Sequence, residues 1–375
     1  MTSRTYTCAI VGTGAIAGAH ARAIAALPAR ARLVGAVDVE PDRVAAFGAE
    51  WGVSAHPTLA DLLADRRPDL VHLCTPPGTH LSLALECLAA GVSPVVEKPP
   101  VLSLADLDRL RAAEAEAGVP VATIFQHRFG SGAVRLRRLL AEGALGRPLL
   151  ASADTLWFRD DDYFAVPWRG KWELEGGGPT MGHGIHQFDL LLSVLGPWSE
   201  VSAVAARQAR PTDTEDVSAA LVRFDSGAVA TVVNSLVSPR QTSRLRFDFE
   251  HATVELEHLY GYSDADWRLT PAPGAPDPTP AWGSDPVGVP SGHTAQLAAV
   301  LDALDEGRTP PVSTADTRMT LEFVAAVYAS AFTGRVVVRG EITEGHPFHA
   351  GMAGGGAPWP PRRSGPSDSR VGRTT

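Results

Sequence analysis

Three cysteines in 375 residues, Cys8, Cys74 and Cys87, exclude a disulfide framework and a cysteine-rich zinc site, because each stands alone in an apolar run. They read as buried, reduced thiols of a cytoplasmic protein. Positive charge is also short: 33 Lys and Arg face 42 Asp and Glu, a net charge of −9, and no basic stripe occurs. Nucleic acids and anionic membranes are held by clustered Lys and Arg, so neither partner is expected. No run of about 18 apolar residues is present, so no membrane span is expected. The polar residues 1–7 lead straight into Cys8-Ala9-Ile10-Val11 without the apolar segment of a secretory leader. What is plentiful is ordinary globular material, 45% hydrophobic and 20% charged. The length implies roughly two domains at about 100–200 residues each. Glycine and proline gather in 271–290 and 345–366, expected as a long loop and a flexible tail.

From residue 7 to 125 short apolar runs (7–11, 33–37, 70–74, 94–96 and 119–125) alternate with amphipathic stretches (15–27, 41–51, 80–90 and 104–117). That alternation predicts a doubly wound, parallel, helix-covered sheet over residues 1–125. Beyond His127 the rhythm changes. A basic helix (133–142), a strand (149–156), a loop (158–178) and an apolar helix ending near Leu195 precede five strand-like runs, then two helices over 293–304 and 314–331. Strands that follow one another without helices imply an antiparallel sheet, so residues 126–340 read as an α+β domain whose final helices pack near the first domain. Residues 341–375 are expected as a tail. Asp225-Ser226-Gly227 fits a tight hairpin turn.

Gly12-Thr13-Gly14-Ala15-Ile16-Ala17 closes the first strand and opens a helix, the placement a dinucleotide fingerprint requires. Gly12 permits the turn, Gly14 lets backbone approach a pyrophosphate, and the helix amides stabilise the anion. Asp38 ends the second strand, where a carboxylate accepts the hydroxyls of an adenine ribose and meets a 2′-phosphate unfavourably, favouring NAD over NADP. Arg43 either contacts a phosphate or is a solvated charge. Thr75-Pro76-Pro77-Gly78-Thr79-His80 forms a rigid turn at the sheet's carboxyl end, on the cofactor side, with His80 open to a helix-capping role. Glu97-Lys98-Pro99-Pro100 follows the fourth strand. Its lysine is either a desolvated ammonium poised on a reacting hydroxyl or a surface lysine paired with Glu97.

This ordered set resembles the glucose–fructose oxidoreductase, inositol dehydrogenase and rhizopine-catabolism (Gfo/Idh/MocA) family of NAD(P)-dependent oxidoreductases. The likeness continues through Trp168-Arg169, Gly176-Gly177-Gly178, His186-Gln187-Phe188-Asp189, Gly292-His293-Thr294-Ala295-Gln296 and Val327-Tyr328-Ala329-Ser330-Ala331, covering roughly residues 6–338. The resemblance implies a Rossmann domain and a second domain whose open sheet forms the substrate pocket and a dimer or tetramer interface. It implies Lys98 and His186 as the catalytic pair, with Gly12, Thr13, Gly14, Ala15, Ile16, Asp38, Arg43, Thr75, Pro76, Pro77, His80, Glu97 and Lys98 on the cofactor. Trp168 and Arg169 would line the cofactor or substrate pocket, or form a packed cation–π pair. His127, His183 and His293 are candidate substrate contacts, with a local structural role open for His127 and His293.

One position departs from the family. Where relatives often carry Asp four residues before the catalytic histidine, this chain has Gly182, which removes a carboxylate from the substrate side. His183, His186 and Asp189 recur at three-residue spacing, but no further donor completes a shell, so no metal is expected and Asp189 is read as orienting His186. The expected activity is reversible oxidation of a secondary hydroxyl on a sugar, sugar derivative or cyclic polyol. Alternatives are redox-neutral elimination with transient use of bound NAD, and a cofactor-binding sensor.

Overall fold

The apolar run Tyr6–Val11 forms β1, buried on both faces as a strand between two helical layers must be. The structure, a computed structural model, describes residues 4–283 and 288–360. From β1 the chain alternates through α1 (Ala17–Ala25), β2 (Ala31–Val37), α2 (Pro41–Trp51), β3 (Ser54–His56), α3 (Leu59–Arg66), β4 (Leu70–Leu73), α4 (His80–Ala89), β5 (Ser93–Val96), α5 (Leu104–Ala117) and β6 (Ala122–Thr123). The pairings are parallel, in the order β3-β2-β1-β4-β5-β6. Strand order reverses between β1 and β4, so the crevice at their carboxyl ends is the switch point where such sheets bind ligands. Helix starts follow local chemistry: the Thr58 and Ser103 hydroxyls accept the amides of Asp61 and Asp106. β3 and α3 were not foreseen, because only Leu59 and Leu62 of α3 are buried and so short a pattern carries little periodicity.

The second half runs α6 (Ser131–Ala141), β7 (Pro148–Phe158), α7 (Asp161–Phe164), α8 (Trp172–Glu175), then a π-helical turn (Thr180–Gly184) that leads into α9 (Ile185–Leu195). There follow β8 (Trp198–Ala206), β9 (Val217–Phe224), β10 (Val229–Ser235), β11 (Val237–Phe249), β12 (Ala252–His258), β13 (Trp267–Pro271), α10 (Thr279–Gly283), α11 (His293–Asp305), α12 (Thr314–Thr333), β14 (Val337–Val338) and α13 (Pro347–Ala350). The sheet order is β13-β12-β11-β7-β10-β9-β8-β14. It is antiparallel except where β7 inserts between β10 and β11 and pairs parallel with β10. Its inner face packs under α9 and α12, where Phe323 meets Phe188 and Trp198 edge-on. Its outer face is open, with Val204 and Leu221 exposed.

The last long helices return to the first domain. Leu297, Val300 and Leu301 of α11 join the core around Ile10 and Ile24. Gln296 donates to the Thr123 carbonyl at 2.7 Å and accepts the Phe125 amide at 3.0 Å.

Two expectations need correction. The tail expected from residue 341 is packed as far as residue 360: Ile342, Phe348 and Met352 are buried, and Trp359 donates to the Asp213 carbonyl at 2.9 Å. Enough large apolar side chains lie among its glycines and prolines to outweigh their entropy; residues 361–375 lie outside the described residues. The expected loop 271–290 contains α10, whose Trp282 sits under the Arg135 guanidinium at 4.7 Å, while 284–287 lie outside the described residues. Among the described residues no helix is long and apolar enough to cross a membrane.

Candidate functional site

Gly12 turns the chain at the end of β1 with φ of +87°, and a Cβ there would lie 2.8 Å from the Thr75 backbone nitrogen. Glycine thus lets the 12–16 loop lie against Thr75-Pro76-Pro77. Beyond it, Gly14 has no atom within 4 Å of where a Cβ would stand. α1 begins with neither a side-chain cap nor an acidic residue, so no side chain competes with an anion there, although its Ala17 and Ala19 amides turn back onto the Gly14 and Ile16 carbonyls. Asp38 is buried at the end of β2. Its Oδ2 accepts the Thr13 amide at 2.7 Å and the Thr13 hydroxyl at 2.9 Å, and its Oδ1 accepts the Glu40 amide at 3.0 Å. Burial alone would push this carboxyl up; those donors, with Arg43 at 3.4 Å, outweigh it and hold Asp38 below the usual carboxylate range. An open glycine backbone, a helix start uncapped by any side chain and a fixed carboxylate acceptor are what a dinucleotide requires, so the residues fit NAD. His80 lies 2.8 Å from both the Pro99 and Thr75 carbonyls, bracing the two loops rather than facing the crevice.

At the end of β5, Lys98 is partly buried and its Nζ donates to the Gly182 carbonyl at 2.9 Å. Burial lowers its pKa, against the opposing pull of Glu97 and Glu175. The surface pairing with Glu97 left open by the sequence does not form. Glu97 Oε1 instead accepts from His20 Nε2 and His293 Nε2, each at 2.9 Å, and Oε2 accepts the Lys98 amide at 3.0 Å. His20 in turn shares a proton with His72, Nδ1 to Nδ1 at 2.8 Å. His293 is therefore tied to Glu97 by one ring nitrogen. The donor atoms of His20, Glu97 and His293 lie within 4.8 Å of one another, a set a metal ion could bridge, although hydrogen bonds already join them.

His186 opens α9 fully buried, its ring 4.8 Å from that of His127 and its Nε2 3.4 Å from the Tyr260 hydroxyl. Burial, then the Lys98 ammonium, push its pKa well below the ordinary imidazole value, so the ring is neutral at pH 7. His127 is pushed down to about 3, by burial first and Lys98 second. His183 lies with its Nε2 3.3 Å from the Tyr163 hydroxyl and its ring edge-on to Trp157. Both nitrogens of His127, and Nδ1 of His183 and His186, are buried without a partner. Native buried polar groups are nearly always paired, so four unpaired nitrogens on these three imidazoles mark a candidate ligand site.

Two readings from the sequence change here. Asp189 does not orient His186; it forms a two-pronged pair with Arg128 at 2.6 and 2.5 Å, which also removes it from any metal set with His183 and His186. The Trp168-Arg169 pair is the packed one: the guanidinium lies 4.2 Å from the Trp168 ring and 3.8 Å from the Tyr163 ring, with Glu175 at 3.4 Å. Tyr163, Tyr260, Trp157, Arg159 and Glu175 were not foreseen. The only signal in the sequence was the density of aromatic and arginine residues between Trp157 and Trp172.

Residues 6–125 match the oxidoreductase family, NAD-binding Rossmann fold, and residues 133–255 match the GFO/IDH/MocA C-terminal domain. The chain is 28% identical over 363 residues to D-apiose dehydrogenase from Paraburkholderia graminis, covering 90% of each. It is 29% identical over 239 residues to myo-inositol 2-dehydrogenase from Thermotoga maritima, covering 60% of this chain and 67% of that one. Among solved structures, the WlbA dehydrogenase from Bordetella pertussis, in complex with NADH and UDP-GlcNAcA, is similar with a TM-score of 0.80 at 28% identity. That match covers 89% of this chain and 99% of the other.

Proposed function

Because the chain belongs to the GFO/IDH/MocA family of NAD-dependent oxidoreductases, we propose that it oxidises a secondary hydroxyl of a sugar, sugar derivative or cyclic polyol, with Lys98 and His186 as its acid–base pair. The observation that carries this reading is a buried imidazole, His186, one turn beyond the Gly182 carbonyl on which the Lys98 ammonium rests at the carboxyl end of the parallel sheet. The relatives above are named for sugars or a polyol, which supports the substrate class.

Bound NAD supplies the hydride-accepting carbon of its nicotinamide. The 12–16 loop and the start of α1 would hold its pyrophosphate, and Asp38 its adenine ribose. Lys98 keeps one N–H on the Gly182 carbonyl and has others for the substrate hydroxyl, which orients it and stabilises the developing alkoxide. His186 takes the hydroxyl proton on its imidazole, whose Nε2 faces the Tyr260 hydroxyl at 3.4 Å and whose Nδ1 has no partner. A base of depressed pKa is unprotonated across neutral pH, and such assistance contributes about 10²–10⁴-fold. The open face of the second sheet, with Val204 and Leu221 exposed, is the surface on which a dimer would form.

A screen of sugars and polyols with NAD, read by nicotinamide absorbance, identifies a substrate. With it, Lys98→Ala should lower kcat by about 10²–10⁴-fold while NADH affinity, read by fluorescence, stays unchanged. Near-normal turnover would remove Lys98 from the mechanism.

A further inference from the structure

Three cations converge on His183. The Lys98 ammonium rests on the carbonyl of Gly182, the residue before it. Arg169 lies 3.8 Å over the Tyr163 ring, and Arg159 lies 5.2 Å from the same ring and 4.6 Å from Trp157. Tyr163 reaches His183 through its hydroxyl, and Trp157 lies against it edge-on.

The opposing charge is thin. Arg159 donates to neutral oxygens, the Phe158 carbonyl at 2.9 Å and Gln241 at 3.3 Å, and it also bonds the Tyr163 hydroxyl; among the described residues no carboxylate pairs with it. Glu97 is held by two imidazoles and an amide. Glu175 serves Arg169 at 3.4 Å and the Gly170 amide at 2.6 Å, and burial pushes its carboxyl up. Position 182 is glycine, and a Cβ there would meet only Glu175 Oε1, at 3.6 Å. The turn thus offers no carboxylate of its own at the point where the cations gather.

Resting on the oxidoreductase reading, we infer that the substrate itself carries the missing charge: it is a sugar acid, uronic or aldonic, whose carboxylate is received by Arg159 beside Arg169 and Tyr163. A guanidinium stacked between two aromatic rings is partly desolvated and presents its fork in one plane, which suits a carboxylate better than a hydroxyl. A charge-assisted pair there separates the acid from its neutral counterpart by about tenfold or more.

The test is equilibrium binding to the NADH-loaded enzyme, comparing glucuronate, galacturonate and gluconate with glucose, galactose and glucitol, and with glucose 6-phosphate. At least one acid should bind about tenfold more tightly than its neutral counterpart and than the phosphate. Arg159→Gln should abolish that preference by weakening the acid alone, and Gly182→Asp, which places a carboxylate among the same cations, should also weaken the acid. Equal affinities for acid and neutral sugar, stronger binding of the phosphate, or a preference that survives Arg159→Gln would each overturn the inference. NADH binding, read first, separates the two claims: if NADH binds and no acid is preferred, only the sugar-acid assignment fails.

Discussion

Asp38 joins the β1 loop to the end of β2 through Thr13 and Glu40, so its carboxylate shapes that loop and, on the proposed reading, would face the adenine ribose. Those donors keep it ionised at neutral pH despite burial. A 2′-phosphate would therefore meet a fixed negative charge. Asp38→Ser removes the charge, keeps a small acceptor and frees Arg43, which now lies 3.4 Å away. The ratio of kcat/KM for NAD over NADP should fall by about tenfold or more; an unchanged ratio would deny Asp38 its part in cofactor choice. At this scale the sequence was most informative where a residue's role is local. Gly12, Asp38 and Lys98 stand at strand ends and could be numbered from spacing and resemblance. Arg159, Tyr163, Tyr260 and Glu175 could not, because each acquires its meaning from a partner on another element. Asp189 shows the reverse error: three-residue spacing from His186 suggested a partnership, and long-range Arg128 outcompeted it.

Among the elements, the π-helical turn that carries Gly182 and His183 depends on a buried acid in the connection between β8 and β9. Glu215 accepts the Thr180 and Gly178 amides, each at 3.1 Å, and the Tyr328 hydroxyl at 2.8 Å. A side chain at Gly178 would overlap the Glu215 carbonyl, so the glycine run is a requirement of close approach. Burial raises the Glu215 carboxyl to about 7. An unfolded glutamate titrates near about 4.3, so between those values the folded protein binds more protons than the unfolded chain. Glu215 thus contributes stability that is present at low pH, is lost as pH rises toward 7, and is flat above. Glu215→Gln should remove that component and leave an amide N–H facing a backbone N–H, costing about 1–3 kcal/mol. Urea midpoints at pH 5, 6 and 7 should show the variant below the wild type at pH 5, with the gap narrowing toward pH 7; a constant gap would exclude titration of Glu215. The strands around this turn were legible from alternation, but their order was not. Side-chain period fixes which residues face the core, and is silent on whether β11 pairs with β10 or, as it does, with β7.

For the whole molecule, the informative segment is the one composition misjudged. Residues 341–360 run from the second domain back across the first: Phe348 and Trp359 close on Phe332 of α12, and His349 bonds Asp108 of α5 at 2.9 Å. Phe332 also meets Trp172 of α8 edge-on, and the Trp172 and Trp359 indoles donate to the same Asp213 carbonyl, each at 2.9 Å. An aromatic string therefore connects the C-terminal segment to the loop that ends in Glu175 and the glycine run. A window rich in Gly and Pro predicts disorder because it normally lacks apolar area to offset ordering entropy; here Ile342, Phe348 and Met352 supply it. Phe348→Ala should cost about 3–5 kcal/mol, the usual range for a buried phenylalanine. That cost should appear as a lower urea midpoint at unchanged slope. Affinity for NADH should remain near that of the wild type, because Gly12, Gly14 and Asp38 follow β1 and β2, whereas this segment packs on α5 and α12. If the midpoint does not move, the segment only rests on the surface and the original expectation of a dispensable tail returns. If NADH affinity falls as well, the string through Phe332 and Trp172 carries strain as far as the cofactor crevice.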